Sequence, residues 1–304
     1  MEELAHRFFV WGSFWKTDYG GAPLVQFNNR QTTSISPSPW LKADIAIFEK
    51  MLGIGFFHYG PRFWMIGEVT PLNHLQDKAT RQSIIDRIVT EYPIRELQDQ
   101  QHFYRIRKAP KLPAANHEYD TPPPEFVGTG RLDSASCPIL YASPDLQLCV
   151  HECRVTAEDD LYVATLLPTR TLRLLDLSAL LQEPQDISEF ESLDIAVHML
   201  FLAGKHSYDI CRAIAISAKA KGLDGLIYPS YFSLLRLGEM PLRTTYGISH
   251  RRIPQFQEYE QALGVPNMAL FGYPVRDGVV RVDCINKLVL NRVEYNFHFG
   301  PVEF

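Results

Sequence analysis

The sequence has no apolar run long enough to cross a bilayer. Its longest, Ala196–Gly204, already contains His198, and a span needs about 20 predominantly apolar residues. The first residues carry two acids before any apolar stretch and hold no clean signal-peptide core, so the expected location is the cytoplasm. Cysteine is sparse: Cys137, Cys149, Cys153, Cys211 and Cys284 are five, odd in number and scattered. That argues against a disulfide framework and fits a reducing compartment. Basic charge is not in excess either. The formal net charge is −5 and the pI is near 6.1, which disfavours a broad DNA- or RNA-coating surface. There is no internal repeat and no low-complexity tract.

The motifs of several catalytic classes are missing as well. No GxGxxG follows a strand, and there is no Walker lysine loop, HExxH, CxxC pair or GxSxG elbow. Dinucleotide-dependent hydride transfer on a Rossmann domain and P-loop hydrolysis lose their support. The best metal candidate is Cys149-Val150-His151-Glu152-Cys153. On a strand, positions 149, 151 and 153 would share a face; on a helix, His151 turns away from the cysteines. The Ser143-Pro144-Asp145 start favours the helix, hence two core cysteines one turn apart and no metal.

What the chain does contain is a foldable composition: 304 residues, 46% hydrophobic, 12% aromatic and 21% charged. An aromatic, loop-like start leads past Ser36-Pro37-Ser38-Pro39 into helical spacing over Trp40–Met51, and Leu75–Tyr92 is predicted as a second, amphipathic helix stopped by Pro93. A strand at His102–Arg107 puts Phe103, Arg105 and Arg107 on one face and Tyr104 and Ile106 on the other. A proline-rich connection from Pro110 to Pro124 cannot be sheet interior. Then come Gly128-Thr129-Gly130-Arg131, a strand at Pro138–Ala142, and a helix from Ser143 to about Arg154. Further strands are predicted at Leu161–Leu167, Thr171–Leu175 and Gly225–Tyr228, with helices at Ser192–Ala203 and Tyr208–Lys221. The stretch from Asn267 to Phe304 is predicted as β structure, through Val279–Cys284, Leu288–Leu290 and Val293–Phe299. The mixed order predicts an α+β fold, with a mainly helical extension over 1–98 and the remaining domain over 99–304.

Several residues in this frame can carry chemistry, and each has an ordinary structural alternative. Glu152 lies at the margin of the apolar stripe of its helix, where a carboxylate is partly desolvated and can face a cleft; it can equally be a solvated helix residue. Tyr141 ends a strand and offers a flat face, or simply packs with a wet hydroxyl. Arg105 and Arg131 present forks that match phosphate oxygens, or make surface ion pairs. Ser230, closing Asp224-Gly225-Leu226-Ile227-Tyr228-Pro229-Ser230, can line a pocket or cap the next turn.

In their order these pieces resemble the RES-domain family, named for an arginine, a glutamate and a serine. The family pattern falls on Tyr104-Arg105, Gly128–Arg131, Leu140–Ala142, Glu152 and Ser230, and the resemblance covers roughly residues 102 to 250. The loop after Arg131 departs from the family's frequent Asn-Pro turn, with Leu132-Asp133-Ser134 instead. Residues 40–98, above all YGPRFWMIGEVTPLNHL, are similar to the amino-terminal extension of a longer RES subgroup. Some such extensions carry the HEPN ribonuclease name, but the arginine–histidine signature is not evident, and no RNA cleavage is assigned to this half.

The resemblance implies an ADP-ribosyltransferase-like fold, a split and curved β-sheet with flanking helices around a cleft for NAD. It implies a toxin that consumes NAD by hydrolysis or phosphorolysis and is neutralised by an antitoxin, such as a small helix-turn-helix protein. Glu152 would stabilise the cation formed on the ribose, and Arg105 and Arg131 would grip the diphosphate. Tyr141, with Tyr104, would stack on nicotinamide, and Ser230 would bind its amide or the ribose; no metal is required. A transferase acting on a protein or nucleic acid, a non-catalytic nucleotide-binding module and a nuclease are the rivals. The aromatic cluster Phe8, Phe9, Trp11, Phe14 and Trp15 fits a core, a contact with a second copy of the chain, or an antitoxin site.

Overall fold

The computed structural model describes residues 69–290 except 129, 185, 204, 231, 234–242 and 246–247. The helix expected at Trp40–Met51 and the strand expected at Val293–Phe299 lie outside the described residues.

The fold is α+β, with its main strands divided between two sheets. The larger sheet takes β1 (Ile94–Leu97), β3 (Ile139–Ala142), β5 (Leu172–Asp176), β6 (Gly225–Pro229) and β9 (Pro266–Phe271), in the order β1-β5-β6-β9-β3. The smaller takes β2 (Phe103–Lys108), β4 (Leu161–Pro168) and β10 (Val280–Leu288), in the order β10-β4-β2. A hairpin of β7 (Thr244–Thr245) and β8 (Ile248–Ser249) stands apart. The pairings are antiparallel except β5 with β6. Parallel neighbours need a long crossover, and here it contains α4 (Leu193–Leu202) and α5 (Tyr208–Ala220).

Alternation along the strands decides which layer each side chain enters. One face of the larger sheet, with Ile139, Leu175, Leu226 and Ala269, packs under α1 (Thr70–Gln76), α2 (Arg81–Glu91), α4 and α5. The other face, with Leu140, Leu172, Leu174, Ile227 and Met268, meets Phe103, Ala164 and Leu166 of the smaller sheet. The far face of that smaller sheet, through Ile106, Leu161 and Val163, is covered by Cys149 of α3 (Leu146–Glu152). The two sheets touch at a seam where Tyr104 of β2 bridges Ser143, just past β3.

The Leu75–Tyr92 region is two helices rather than the single one expected. Asp77 leaves α1 with extended backbone, and its carboxylate accepts from the Ala79 amide (3.0 Å) and the Thr80 hydroxyl (3.4 Å). A short acidic side chain thus competes with the helical ladder although the apolar spacing continues. Residues 69–92 share one core with α4 and α5. The C-terminal strand runs unbroken over Val280–Leu288, where two pieces were expected. The helix α6 (Pro254–Leu263) was not anticipated.

The turn His250–Arg252 returns a charge to the base of α4. Arg251 donates from Nε and Nη2 to Asp194 at 2.7 and 2.9 Å, and both side chains are almost wholly buried. Replacing Arg251 by alanine would strand the carboxylate, and about 3–5 kcal/mol of stability should be lost. Urea denaturation that shows a change below about 1 kcal/mol would contradict that account.

Burial also sets thiol reactivity. Removal from water pushes the Cys149 thiol up to about 12, whereas Cys284 is exposed. The thiolate is the reactive form, so native alkylation at mildly alkaline pH should label Cys284 first and Cys149 only on unfolding, as peptide mass mapping will show.

Candidate functional site

The helix that carries Glu152 is placed by the residues before it. Its N-cap is Asp145, which accepts from the Leu148 amide at 2.8 Å, rather than Ser143 as expected. Ser143 is drawn elsewhere: its hydroxyl donates to the Pro266 carbonyl (2.9 Å) and accepts from the Asp145 amide (3.1 Å). Cys149 and Cys153 turn inward, their thiols on the carbonyls of Tyr104 (3.4 Å) and Ile106 (3.9 Å). The helix ends at Glu152, earlier than expected, and Arg154 follows with φ of 46°. His151 stacks on Phe232, ring centroids 6.5 Å apart.

Glu152 is more exposed at this helix end than its place at the margin of the apolar stripe suggested. The helix stops there, so no further turn covers it. Its Oε1 nevertheless accepts from two buried side chains, the Ser230 hydroxyl at 2.5 Å and the Asn267 amide. The Ser230 hydroxyl also accepts from the Phe232 amide at 3.0 Å, so it caps the turn and holds the carboxylate at once. Ser230 follows β6 and Asn267 sits in β9, and these strands are neighbours in the sheet.

Tyr141 projects from β3 into a loop that wraps its phenol. The hydroxyl accepts from the amides of Leu132 (2.9 Å) and Asp133 (3.1 Å) and donates to the Asp133 carboxylate (2.9 Å). It is therefore bound rather than wet, and burial together with Asp133 lifts it well above the usual tyrosine range. A Cβ at Gly130 would come within 2.8 Å of that hydroxyl, so only glycine lets the loop close so tightly. Arg212 secures the loop from α5, donating to the carbonyls of Gly128 (2.9 Å) and Gly130 (2.8 Å).

Arg131 continues from the same loop toward the end of α4. It donates to the Ala203 carbonyl (2.9 Å), the Leu200 carbonyl (3.4 Å) and Ser207 (3.3 Å), and lies over the Tyr208 ring at 4.9 Å. Such a cation suits the carbonyl end of a helix. It also lies 6.0 Å from the ring of Phe201, which is 5.3 Å from Tyr228. Tyr228 is buried, which raises it well above its ordinary range.

Arg105 reaches the group from the seam between the sheets, donating from Nη1 to the Tyr141 carbonyl at 2.7 Å. Burial and the neighbouring Arg107 bring it down to about 10. Tyr104 points to the opposite face of β2, half-buried against the layer under α3, with its ring 5.4 Å from His102. The structure therefore joins Glu152 to Ser230, ties Arg105 to Tyr141, sets Arg131 over the rings of Tyr208 and Phe201, and leaves Tyr104 on another surface. Among the described residues no group of three or more His, Cys, Asp or Glu is placed to hold a metal ion.

Sequence reasoning passed over Asn267, Tyr228, Asp133 and Arg212. Asn267 had a signal, a lone amide in the otherwise apolar Pro266–Phe271 strand, where asparagine is disfavoured. The arrangement can hold a carboxylate in one orientation beside an aromatic wall, which suits stabilisation of a developing positive charge and binding of a sugar hydroxyl.

No curated protein and no solved structure matches the chain. The family model described as the RES domain matches residues 102–259, just over half of the sequence. This match spans Arg105, Arg131, Tyr141, Glu152 and Ser230. The chain belongs to the RES-domain family.

Proposed function

We propose that the protein is an NAD-consuming enzyme that cleaves the nicotinamide–ribose bond, as a glycohydrolase or phosphorylase, and acts as a toxin. Family membership links the chain to NAD and to toxin–antitoxin systems. The observation that supports the finer reading is the double hydrogen bond that fixes Glu152 at an accessible helix end.

In this reading the bond from the ribose anomeric carbon to the nicotinamide nitrogen breaks, and its electron pair leaves with nicotinamide. Positive charge develops on the sugar, and the anionic Glu152 faces it while accepting a ribose hydroxyl. Water or inorganic phosphate supplies the new bond to carbon; with water, the departing proton goes to solvent. Ser230 and Asn267 are positioning residues for the carboxylate. Tyr141 offers an aromatic face for nicotinamide, whereas Tyr104 lies on another surface. Arg105 supplies a fork for the diphosphate. Arg131, already engaged at the end of α4, adds positive potential beside Tyr228. The expected partners are a small helix-turn-helix antitoxin and a second copy of the chain.

A transferase reading has one supporting observation, the exposure of Glu152, since an acceptor macromolecule must approach the cleft. Labelled NAD separates the two: label on a macromolecule means transfer, whereas free ADP-ribose or its phosphate means consumption.

Glu152→Gln keeps the size and the two donors' neighbour but removes the charge. It should lower NAD turnover at least about 100-fold with an unchanged unfolding midpoint; mass spectrometry of products with and without phosphate is the measurement, and undiminished turnover would reject the role. Asn267→Ala and Ser230→Ala should lower kcat by about 10- to 100-fold with smaller changes in KM, because they loosen a reacting group rather than a substrate contact. A rise in KM alone would instead make them binding residues.

A further inference from the structure

Most arginines whose partners are seen sit on carboxylates or carbonyls: Arg95 with Asp176, Arg170 with Asp224, Arg212 on the glycine loop, Arg251 with Asp194. Arg105 and Arg107 differ. They lie two positions apart on β2, so their side chains leave the same face about 7 Å apart. The Nε of each is buried without a hydrogen-bond partner. Arg105 is only 7% exposed, and its one hydrogen bond among the described residues is to the Tyr141 carbonyl. Arg107 is half-exposed at the rim and makes no ion pair among the described residues.

Buried N–H donors without acceptors are costly, more so on a cation. The two guanidinium groups also repel: Arg107 is among the causes that weaken the hold of Arg105 on its proton. Among the described residues no carboxylate is ion-paired with either. Asp120, whose charge partly offsets that of Arg105, has its own oxygens on the amides of Thr121 (2.8 Å), Val275 (3.3 Å) and Arg276 (2.8 Å). Such a pair is what an anion with several oxygens satisfies, one fork inside and one at the entrance. The pair also adjoins the candidate site: the thiol of Cys153, next in the chain after Glu152, lies on the carbonyl of Ile106, the residue between the two arginines (3.9 Å).

We infer that Arg107 is a further binding residue for the substrate: with Arg105 it forms a paired cation that holds the diphosphate bridge of the dinucleotide. The inference rests on the NAD reading above and adds a residue that the family pattern does not mark. It explains why β2 carries a second arginine on the face that enters the seam. Arg131 is turned to the end of α4, and Arg107 provides the second fork beside Arg105.

The test uses the full chain and ADP-ribose, measured by calorimetry, with nicotinamide riboside as the substrate that lacks a diphosphate. Arg107→Ala should weaken ADP-ribose binding at least about tenfold and raise KM for NAD to match, while leaving KM for nicotinamide riboside unchanged. Arg107→Lys should recover part of the loss, and it decides the matter if the alanine variant does not fold. Arg281→Ala, which removes an exposed arginine paired with Asp283, controls for net charge and should leave affinity as it is. Unchanged ADP-ribose affinity in Arg107→Ala or Arg107→Lys overturns the inference. So does a variant that loses only phosphate-dependent turnover, since that makes the residue a site for free phosphate. If the unaltered protein neither binds ADP-ribose nor consumes NAD, the NAD reading itself fails, and the inference with it.

Discussion

The arrangement depends on one oxygen atom. Oε1 of Glu152 receives donors from two neighbouring strands, and through it a seven-residue helix is tied to the middle of the larger sheet. So short a helix has little stability of its own, and a glutamate at its last position would otherwise sweep through solvent. Ser230 and Asn267 are themselves buried, so the hydrogen bonds form in a poorly hydrated setting and hold one rotamer. The exposed half of the carboxylate then has a defined direction. Precision comes from the sheet, and accessibility comes from the helix end.

The arginines fall into two groups by what they meet. Arg131, Arg212 and Arg251 cross between elements distant in sequence and end on carbonyls or a buried carboxylate. They fasten the loop around Tyr141 and the base of α4. Arg105, inside the seam, and Arg107, at its rim, each keep a buried Nε without a partner. A chain of net negative charge thereby keeps a small region of positive potential in the seam between its sheets.

Much of this was legible from local pattern. The two-residue period of β2 put Tyr104 and Arg105 on opposite faces, and Ser192 stands where a helix cap should, accepting from the Ile195 amide. The family's ordered motifs marked Glu152 and Ser230, which the fold joins across 78 positions. What could not be read was where polar groups go when several partners compete. Ser143 and Asp145 are both good caps, and the choice falls to Asp145 because Ser143 is engaged by a carbonyl 123 positions away. The destination of Arg131 is likewise some 70 residues distant. The break at Asp77 was locally encoded, but a continuing apolar stripe outweighed it.

Helix α4 has a consequence beyond the site. Every one of its ten residues is buried, Asp194 and His198 included, so it has no wet side on which to stand alone. It is roofed in part by α1, and α2 in turn packs on α5. A shortened chain that starts at β2 would therefore bare an oily helix over the same strands that hold the carboxylate. The described residues ahead of the family match are a structural cover for it, and trimming them would invite clumping before it taught anything about chemistry.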